Sequence, residues 1–306
     1  MFAARETIAG RVHRTPTLTS ASLERVVGVP VYLKAELFQR TGSFKPRGVL
    51  NKLASLSAAE KARGVIGISA GNHAQALAYG ASLEGVDALI VMWQGVSEQK
   101  LEATRNYGAT VDLRATDSAQ AFERLEELME ETGRTLVHPF DDPLVIAGQG
   151  TVGLELAEDA PGADVVVVPV GGGGLISGIR TAVDTRVIAV EPETSAALRE
   201  ALAAGKPVPL TPQSIADGLN APFAGENAVA ICNGRVESVL VSEEEIRAGF
   251  RFLYGRAKLA CEPAGAAGVA ALLAGKVPLN GAKAVAVVVS GGNVAAETTA
   301  AILAER

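Results

Sequence analysis

The segment from Asp164 to Arg180 reads DVVVVPVGGGGLISGIR, and it decides the fold of this chain. Val165–Val168 is a β-branched apolar run, long enough for a strand that is buried on both faces. Four consecutive glycines then lead into an amphipathic segment, so the stretch predicts a strand, a turn without side chains and a helix. Glycines let backbone N–H groups converge on an anion, and the helix start adds its positive end. We therefore predict a phosphate-binding loop rather than a flexible linker.

Two further stretches repeat this arrangement. GISAGNHAQ carries the chain from the strand Val65–Ser69 into a helix over His73–Leu83, and VVVSGGN follows the strand Val285–Val289. The carboxyl ends of parallel strands meet at one sheet edge, which is where open α/β folds bind ligands. Free N–H groups beside serine and asparagine suit a carboxylate, so the first loop predicts a carboxylate site. The alternative is that Ser69 and Asn72 only cap the helix.

The rest of the chain alternates strands and helices, which is typical of an α/β fold. From the capping box of Ser57 and Glu60 to His138, the alternation predicts a small parallel α/β unit. The other predicted strands are Val31–Lys34, Leu89–Trp93, Thr110–Leu113, Thr135–His138, Val187–Val190 and Val236–Val241. The other predicted helices are Glu98–Tyr107, Ala119–Glu131, Val145–Glu158, Ala196–Ala204 and Glu243–Lys258, with one more opened by Pro263. A long irregular connection is predicted before Val236–Val241.

Lys45 lies in the motif SFKPRG, where a loop enters a predicted helix. Pro46 suits the first turn of a helix, so Lys45 would lie at the positive end of the helix dipole, which disfavours its ammonium form. A lysine that is neutralised more easily is a nucleophile. The alternative is a solvated surface lysine, and this motif alone does not decide between the two.

Composition limits the classes of partner. At 306 residues the chain can bury a large core, and its net charge of −6 argues against a nucleic-acid partner. Cys232 and Cys261 lack the spacing of a zinc site or a disulfide framework, which fits a reducing compartment. The N-terminal segment has no continuous apolar core, and no segment is long enough to span a membrane. We predict a cytoplasmic protein without a membrane partner.

Seven motifs occur together in one order: SFKPRG, SAGNH, HPFDDP, IAGQGT, PVGGGG, ADG and SGGN. With them the sequence resembles, over nearly its whole length, the pyridoxal-phosphate-dependent serine/threonine dehydratase and serine racemase family. The resemblance implies fold type II, the tryptophan-synthase-β type. Two open, mostly parallel twisted sheets flanked by helices would hold the cofactor in a cleft between two domains. The large domain would comprise residues 1–49 and 141–306, the small domain residues 50–140, and the protein would be a homodimer.

The resemblance also implies roles for individual residues. Lys45 would form a Schiff base with pyridoxal 5'-phosphate and then remove the Cα proton of the substrate. The cofactor-binding residues would be Phe44, Lys45, Asn72, Gly171, Gly172, Gly173, Gly174, Leu175 and Ser290. The substrate-binding residues would be Ser69, Ala70, Gly71, Asn72, His73, Gly218 and Glu262. Ser290 would hydrogen-bond the pyridine nitrogen without forcing it to stay protonated, which suits elimination.

The implied reaction is the dehydration and deamination of a β-hydroxy amino acid, L-threonine and/or L-serine, to a 2-oxo acid and ammonia. Ala70 stands where racemase members carry a second serine, so little racemase activity is expected. Ala197 stands where metal-binding members carry a carboxylate beyond the one matching Glu191, so no metal site is expected. The chain ends at Arg306, soon after the last predicted helix, so a C-terminal regulatory domain is not expected.

Other functions remain open at this stage. A nicotinamide-dependent oxidoreductase would explain a glycine loop followed by an acidic strand end at Glu191, but Gly172, Gly174 and Gly178 give GxGxxxG rather than GxGxxG. A catalytically silent amino-acid-binding protein would not need Lys45. Within the family, 3-hydroxyaspartate dehydratase and serine racemase activities are the alternatives, and β-replacement as in cysteine synthases is a further enzymatic alternative.

Overall fold

The computed structural model describes residues 1–305, apart from the side chain of Ser118. The strands are β1 Thr17–Thr19, β2 Val31–Ala35, β3 Val65–Ile68, β4 Ala88–Trp93, β5 Thr110–Ala115, β6 Thr135–Leu136, β7 Val165–Pro169, β8 Arg186–Pro192, β9 Glu237–Val241 and β10 Val285–Val289. The α-helices are α1 Phe2–Ile8, α2 Ala21–Val27, α3 Lys45–Ala54, α4 Ala58–Arg63, α5 Asn72–Glu84, α6 Glu98–Asn106, α7 Ser118–Thr132, α8 Pro143–Gln149, α9 Thr151–Asp159, α10 Gly174–Ala182, α11 Ala197–Ala204, α12 Glu226–Cys232, α13 Glu243–Phe252, α14 Pro263–Leu273 and α15 Ala296–Ala304. Within residues 1–305, no helix combines the length and apolarity that crossing a membrane requires.

The strands form two sheets that are largely parallel. The six-stranded sheet has the order β1-β2-β10-β7-β8-β9, in which β1 and β2 pair antiparallel and the other neighbours pair parallel. The four-stranded sheet, β5-β4-β3-β6, is parallel throughout. The predicted α/β fold, with two open, mostly parallel sheets flanked by helices, is confirmed.

The strand β7 lies inside the larger sheet, between β10 and β8, and all of its residues are buried. Val165 and Val167 pack in a core cluster with residues of α14 on one face. Val166 and Val168 pack with residues of α10 on the other face. Successive side chains of a strand point to opposite faces, so a strand covered by helices on both sides is apolar at every position.

Two predicted helices differ from the observed ones. The helix predicted over Val145–Glu158 is instead two helices, α8 and α9, which meet at Gly150. Gly150 lies against Gly178, since a Cβ added to Gly150 would be 2.8 Å from the Gly178 carbonyl oxygen. The helix predicted over Glu243–Lys258 ends as α13 at Phe252 and continues as a π-helical turn over Leu253–Ala257. Both differences arise from local backbone geometry that residue periodicity does not report.

The long connection before β9 is not irregular throughout, because it contains α12. The Asp141 carboxylate caps this helix by accepting the backbone N–H groups of Glu226 at 2.9 Å and Asn227 at 3.0 Å. His138 Nδ1 in turn accepts the N–H of Asp141 at 2.8 Å. Asp141 and His138 therefore join the segment after β6 to α12, which gives both side chains a structural role.

Arg47 is fully buried two residues after Lys45 and is surrounded by carboxylates. Its guanidinium lies 2.8 Å from Glu36 and 2.7 Å from Glu155, and Lys34 lies 2.7 Å from Glu155 as well. Burial lowers the pKa of Arg47, but the charges and hydrogen bonds of Glu36 and Glu155 outweigh burial and raise it. This buried ion cluster ties α3 to α9 and to the end of β2, so it fixes where α3 begins.

Candidate active site

A cavity of about 1030 Å³ is lined by the loops that follow β3, β7 and β10. These are the three loops that the sequence predicts to meet at a ligand site. The cavity is lined by every predicted cofactor or substrate residue: Phe44, Lys45, Ser69, Ala70, Gly71, Asn72, His73, Gly171, Gly172, Gly173, Gly174, Leu175, Gly218, Glu262 and Ser290. The structure therefore brings together residues from both sheets that are far apart in the chain.

Lys45 reaches the cavity from the first residue of α3. Its Nζ donates a hydrogen bond to the Pro139 carbonyl oxygen at 2.7 Å and lies 5.2 Å from the centroid of the Phe44 ring. Burial lowers the pKa of Lys45 to about 8, although the nearby Glu262 opposes the change. Roughly a tenth of such a lysine is neutral at pH 7, far more than for an ordinary lysine. Lys45 is thus the amine in the cavity that is prepared to act as a nucleophile.

The glycine loop ends at the N-terminus of α10. Gly173 has a φ of 91°, and the first hydrogen bond of the helix runs from Ser177 N–H to the Gly173 carbonyl oxygen at 3.0 Å. The N–H groups before Ser177 have no partner inside the helix, as at every helix start. Phe140 lies behind the loop, since a Cβ added to Gly172 would be 2.4 Å from its ring. The loop therefore offers backbone donors, with no side chain between them and an anion.

The loop after β3 ends at the N-terminus of α5 in the same way. The first hydrogen bond of this helix runs from Gln75 N–H to the Gly71 carbonyl oxygen at 3.3 Å. Ser69 Oγ accepts the Gly71 N–H at 3.1 Å, and Asn72 Nδ2 donates to Glu262 at 2.8 Å. Since no side chain caps α5, the alternative in which Ser69 and Asn72 only cap the helix is wrong. Asn72 and His73, at the start of α5, line the cavity, and their N–H groups have no partner inside the helix, so these N–H groups are available for a carboxylate.

His73 contributes its backbone rather than its ring to this loop. Its Nε2 donates to the Val137 carbonyl oxygen at 2.8 Å. Burial lowers the pKa of His73 to about 3, with Lys45 as a further cause, so the ring is neutral and its Nδ1 carries no proton. The imidazole therefore has no proton to offer a substrate carboxylate. The contact of His73 with a carboxylate stays a prediction, and the group of His73 that could make it is the backbone N–H.

Three polar groups around the cavity were not predicted as site residues. Asn293 Nδ2 donates to Asn72 Oδ1 at 2.7 Å. Lys100 of α6 forms an ion pair with Asp217, next to the predicted substrate residue Gly218. The SGGN motif could have identified Asn293 as a site residue, because Asn293 is the last residue of that motif. The contact between Lys100 and Asp217 depends on how α6 packs, which the sequence does not show.

Glu262 and Glu191 are buried carboxyl groups with different partners. Burial raises the pKa of Glu262 to about 8, with Asp217 as a further cause, and this carboxyl lines the cavity. Burial raises the pKa of Glu191 to about 7, but its oxygens accept the N–H groups of Leu198 and Arg199 at 2.6 and 3.0 Å. Glu191 therefore caps α11. Among the residues described by the structure, no group of three or more His, Cys, Asp or Glu side chains is arranged to hold a metal ion.

The chain matches the family of pyridoxal-phosphate dependent enzymes over residues 8–291, and it belongs to that family. It is 45% identical over 298 residues to the L-threonine ammonia-lyase of Thermotoga maritima, a match that covers 95% of this chain and 74% of the relative. It is 40% identical over 300 residues to the catabolic L-threonine dehydratase of Escherichia coli K12, covering 95% and 91% of the two chains.

The chain is also similar to solved structures over nearly its whole length. Maize serine racemase superposes with a TM-score of 0.93 at 36% identity, over 97% of this chain and 93% of that one. The threonine deaminase of T.th. superposes with a TM-score of 0.89 at 42% identity, over 96% and 97%. The family resemblance predicted from the sequence motifs, the fold type and the cofactor are confirmed.

The residues around the cavity fit pyridoxal phosphate. The glycine loop is a cradle of backbone donors in which a Cβ on Gly172 would collide with Phe140. The Lys45 amine has a lowered pKa, and the buried Ser290 lines the cavity with a hydroxyl that can either donate or accept. The backbone donors of the glycine loop suit the phosphate of the cofactor, the Lys45 amine suits its aldehyde, and the Ser290 hydroxyl suits its ring nitrogen.

Gly173→Ala is expected to weaken cofactor binding by at least about tenfold. The φ of Gly173 is disfavoured for alanine, and a Cβ there would lie 2.4 Å from Ala228 Cβ, so the loop must shift. An absorbance titration of the apoprotein with pyridoxal phosphate measures the dissociation constant. Gly162→Ala is the matched control, because a Cβ added there meets nothing within 4 Å. An unchanged dissociation constant in Gly173→Ala would contradict the role of the glycine loop in binding the cofactor phosphate.

Proposed function

We propose that this protein is a pyridoxal-phosphate-dependent ammonia-lyase that converts L-threonine and/or L-serine to a 2-oxo acid and ammonia. The observation that carries the proposal is the position of Lys45, a lysine of lowered pKa that lines the same cavity as the glycine loop and the start of α5. The relatives named threonine ammonia-lyase and threonine dehydratase support the choice of substrate.

Each predicted residue has a task in this reaction. Bound pyridoxal phosphate supplies the electron sink that stabilises negative charge at the amino-acid Cα. Gly171–Gly174 and Leu175 would hold the phosphate, and Phe44 would lie beside the cofactor ring. Ser69, Asn72 and the His73 N–H bind the substrate carboxylate, within the loop that also contains Ala70 and Gly71. Neutral Lys45 removes the Cα proton. Gly218 and Glu262 would contact the substrate, and Ser290 would hydrogen-bond the ring nitrogen.

We also propose the organisation around this site. The smaller sheet would be the core of a domain of residues 50–140, and the larger sheet that of a domain of residues 1–49 and 141–306. A cytoplasmic location fits the reduced, buried Cys232 and Cys261. A homodimer is expected from the family resemblance, and exposed apolar side chains such as Phe2 are available for a subunit interface. Sedimentation of the holoenzyme tests the dimer.

A panel of β-hydroxy amino acids, scored for release of 2-oxo acid, tests the proposed function. L-threonine and L-serine are expected to be the best substrates. 3-Hydroxyaspartate is expected to be poor, because Lys100, a cation that lines the cavity, is neutralised by Asp217. Absence of 2-oxo acid from every member of the panel, with cofactor bound, would contradict the proposal. Cysteine formation that depends on sulfide would instead favour β-replacement.

Racemisation of L-serine is expected to be at least tenfold slower than its elimination. Inversion at Cα requires a proton donor on the face opposite Lys45, and the methyl group of Ala70 has no proton to give. Chiral chromatography of D-serine, measured beside pyruvate release, provides the two rates. Formation of D-serine at the rate of elimination would show that another group protonates the opposite face. Ala70→Ser is expected to raise the D-serine rate selectively.

A further inference from the structure

A chain of hydrogen bonds runs from the backbone at Thr41 through two asparagines to Glu262. Asn293 Nδ2 donates to the Thr41 carbonyl oxygen at 2.7 Å and to Asn72 Oδ1 at 2.7 Å. Asn72 Nδ2 donates to Glu262 Oε1 at 2.8 Å. Glu262 is buried, both asparagines are half-buried, and all three side chains line the cavity. The chain therefore connects a loop outside the reacting groups with the centre of the site.

The Thr41 carbonyl sets the direction of these hydrogen bonds. A carbonyl oxygen only accepts, so the atom of Asn293 that faces it must be the nitrogen. Since this nitrogen also faces Asn72, the facing atom of Asn72 must be its oxygen. The Asn72 nitrogen is consequently turned toward Glu262. One of its two N–H groups is used there, and the second remains for a ligand in the cavity.

Thr41 and Gly42, at the start of this chain of hydrogen bonds, both have a positive φ, which is disfavoured for Thr41 and permitted for Gly42. Thr41 has a φ of 59°, which is a genuine outlier for a β-branched residue. Gly42 has a φ of 74°, and a Cβ added to it would lie 2.4 Å from Asn293 Oδ1. Glycine at this position permits the close approach of Asn293. Strained backbone of this kind persists where the surrounding structure fixes it, often at functional sites.

We propose that Asn293 is a positioning residue, which fixes the Asn72 amide so that Asn72 presents a hydrogen-bond donor to the ligand. A donor suits an acceptor such as the ring oxygen of the cofactor or a carboxylate oxygen of the substrate. Without Asn293, only Glu262 holds the Asn72 amide. Because burial raises the pKa of Glu262 to about 8, its protonated carboxyl can also donate to Asn72 Oδ1, so the amide can turn and present an oxygen that repels such an acceptor. The inference rests on the proposed function, because it takes pyridoxal phosphate as the ligand of the cavity.

Asn293→Asp tests this role with little change in shape. The aspartate carboxylate cannot donate to Thr41 or to Asn72, so the Asn72 amide is expected to turn and to donate to Asp at position 293. We expect the dissociation constant of pyridoxal phosphate from the apoprotein to rise by about tenfold or more. We also expect the pH midpoint of the visible absorbance of the bound cofactor to shift. Asn293→Ala, which removes the donor without adding charge, is expected to weaken binding as well.

Asn51→Asp is the matched control. Asn51 is a buried asparagine whose Nδ2 donates to the Leu144 carbonyl oxygen at 2.7 Å, and it lies outside the cavity lining. The same chemical change there destabilises the fold without altering Asn72. Thermal unfolding of both variants reports the structural effect. Asn51→Asp is expected to keep the cofactor affinity and the pH midpoint of the wild type.

A double-mutant cycle with Asn72→Ala distinguishes positioning from a direct effect. If Asn293 acts through Asn72, then Asn293→Asp is expected to change the affinity less than twofold in the Asn72→Ala background. Additive effects of the two substitutions, or wild-type affinity and pH midpoint in Asn293→Asp, would overturn the role of Asn293. Failure of the wild-type protein to bind pyridoxal phosphate would overturn the proposed function first, and this inference with it.

Discussion

Replacing Lys45 with alanine is expected to lower the rate of 2-oxo acid release by on the order of 10⁴-fold. The same amine both attaches the cofactor and takes the Cα proton, so both tasks are lost together. The substitution removes a partly buried ammonium whose hydrogen bond goes to the Pro139 carbonyl oxygen, and the fold is expected to persist. Single-turnover assays with saturating cofactor separate the chemical step from cofactor loss.

Lys52→Ala is the control for this result. Lys52 belongs to the same helix, α3, and its Nζ lies 2.7 Å from Asp142 rather than in the cavity. Its replacement is expected to change the rate by less than about threefold, since Lys52 lies outside the cavity and takes no part in the proposed chemistry. Activity of Lys45→Ala within tenfold of the wild type would remove the basis of the proposed mechanism.

Arg47→Met is expected to lower the free energy of unfolding by about 3–5 kcal/mol, the usual result of removing one partner from a buried ion cluster. Glu36 is completely buried and would keep its carboxylate without a guanidinium. Glu155 would keep only the Lys34 contact at 2.7 Å. Urea denaturation of the holoenzyme, at a fixed concentration of pyridoxal phosphate, measures the change.

Arg5→Met provides the comparison for Arg47. Arg5 pairs with Glu158 at 2.6 Å, but both side chains are more than two-fifths exposed. A surface ion pair of this kind contributes about 0–1 kcal/mol. Equal stability changes in Arg5→Met and Arg47→Met would show that the buried ion cluster does not fix the start of α3.

The three strand–loop–helix units were predictable because the residues that determine each unit are neighbours in the sequence. The valine run of β7 reports burial on both faces, and the glycines after it report a turn that must approach other segments closely. The same holds for β3 and β10. The carboxyl ends of β7 and β10 meet at one edge of the larger sheet, so their local patterns place two of the loops together. The strand β3 belongs to the smaller sheet, so its loop reaches the cavity through the packing of the two sheets, which local patterns do not report.

The groups that depend on distant pairing were not predictable in this way. Asn72 and Asn293 are 221 positions apart, and only the folded sheets bring their amides together. The buried position of Glu36 and the role of Arg47 likewise follow from how α3, α9 and β2 pack. The family resemblance implies that His73 binds the substrate, but it does not say which group of His73 does so. The structure directs the His73 ring to the Val137 carbonyl oxygen, 64 positions away in the chain.

Borohydride reduction of the holoenzyme, followed by peptide mass mapping, tests the central claim most directly. Reduction would fix the cofactor covalently to the amine that carries it. We predict loss of the visible absorbance and a pyridoxyl adduct on the peptide that contains Lys45, with no adduct at Lys52 or Lys100. An adduct at another lysine, or visible absorbance that survives reduction with no adduct at all, would contradict the assignment of Lys45.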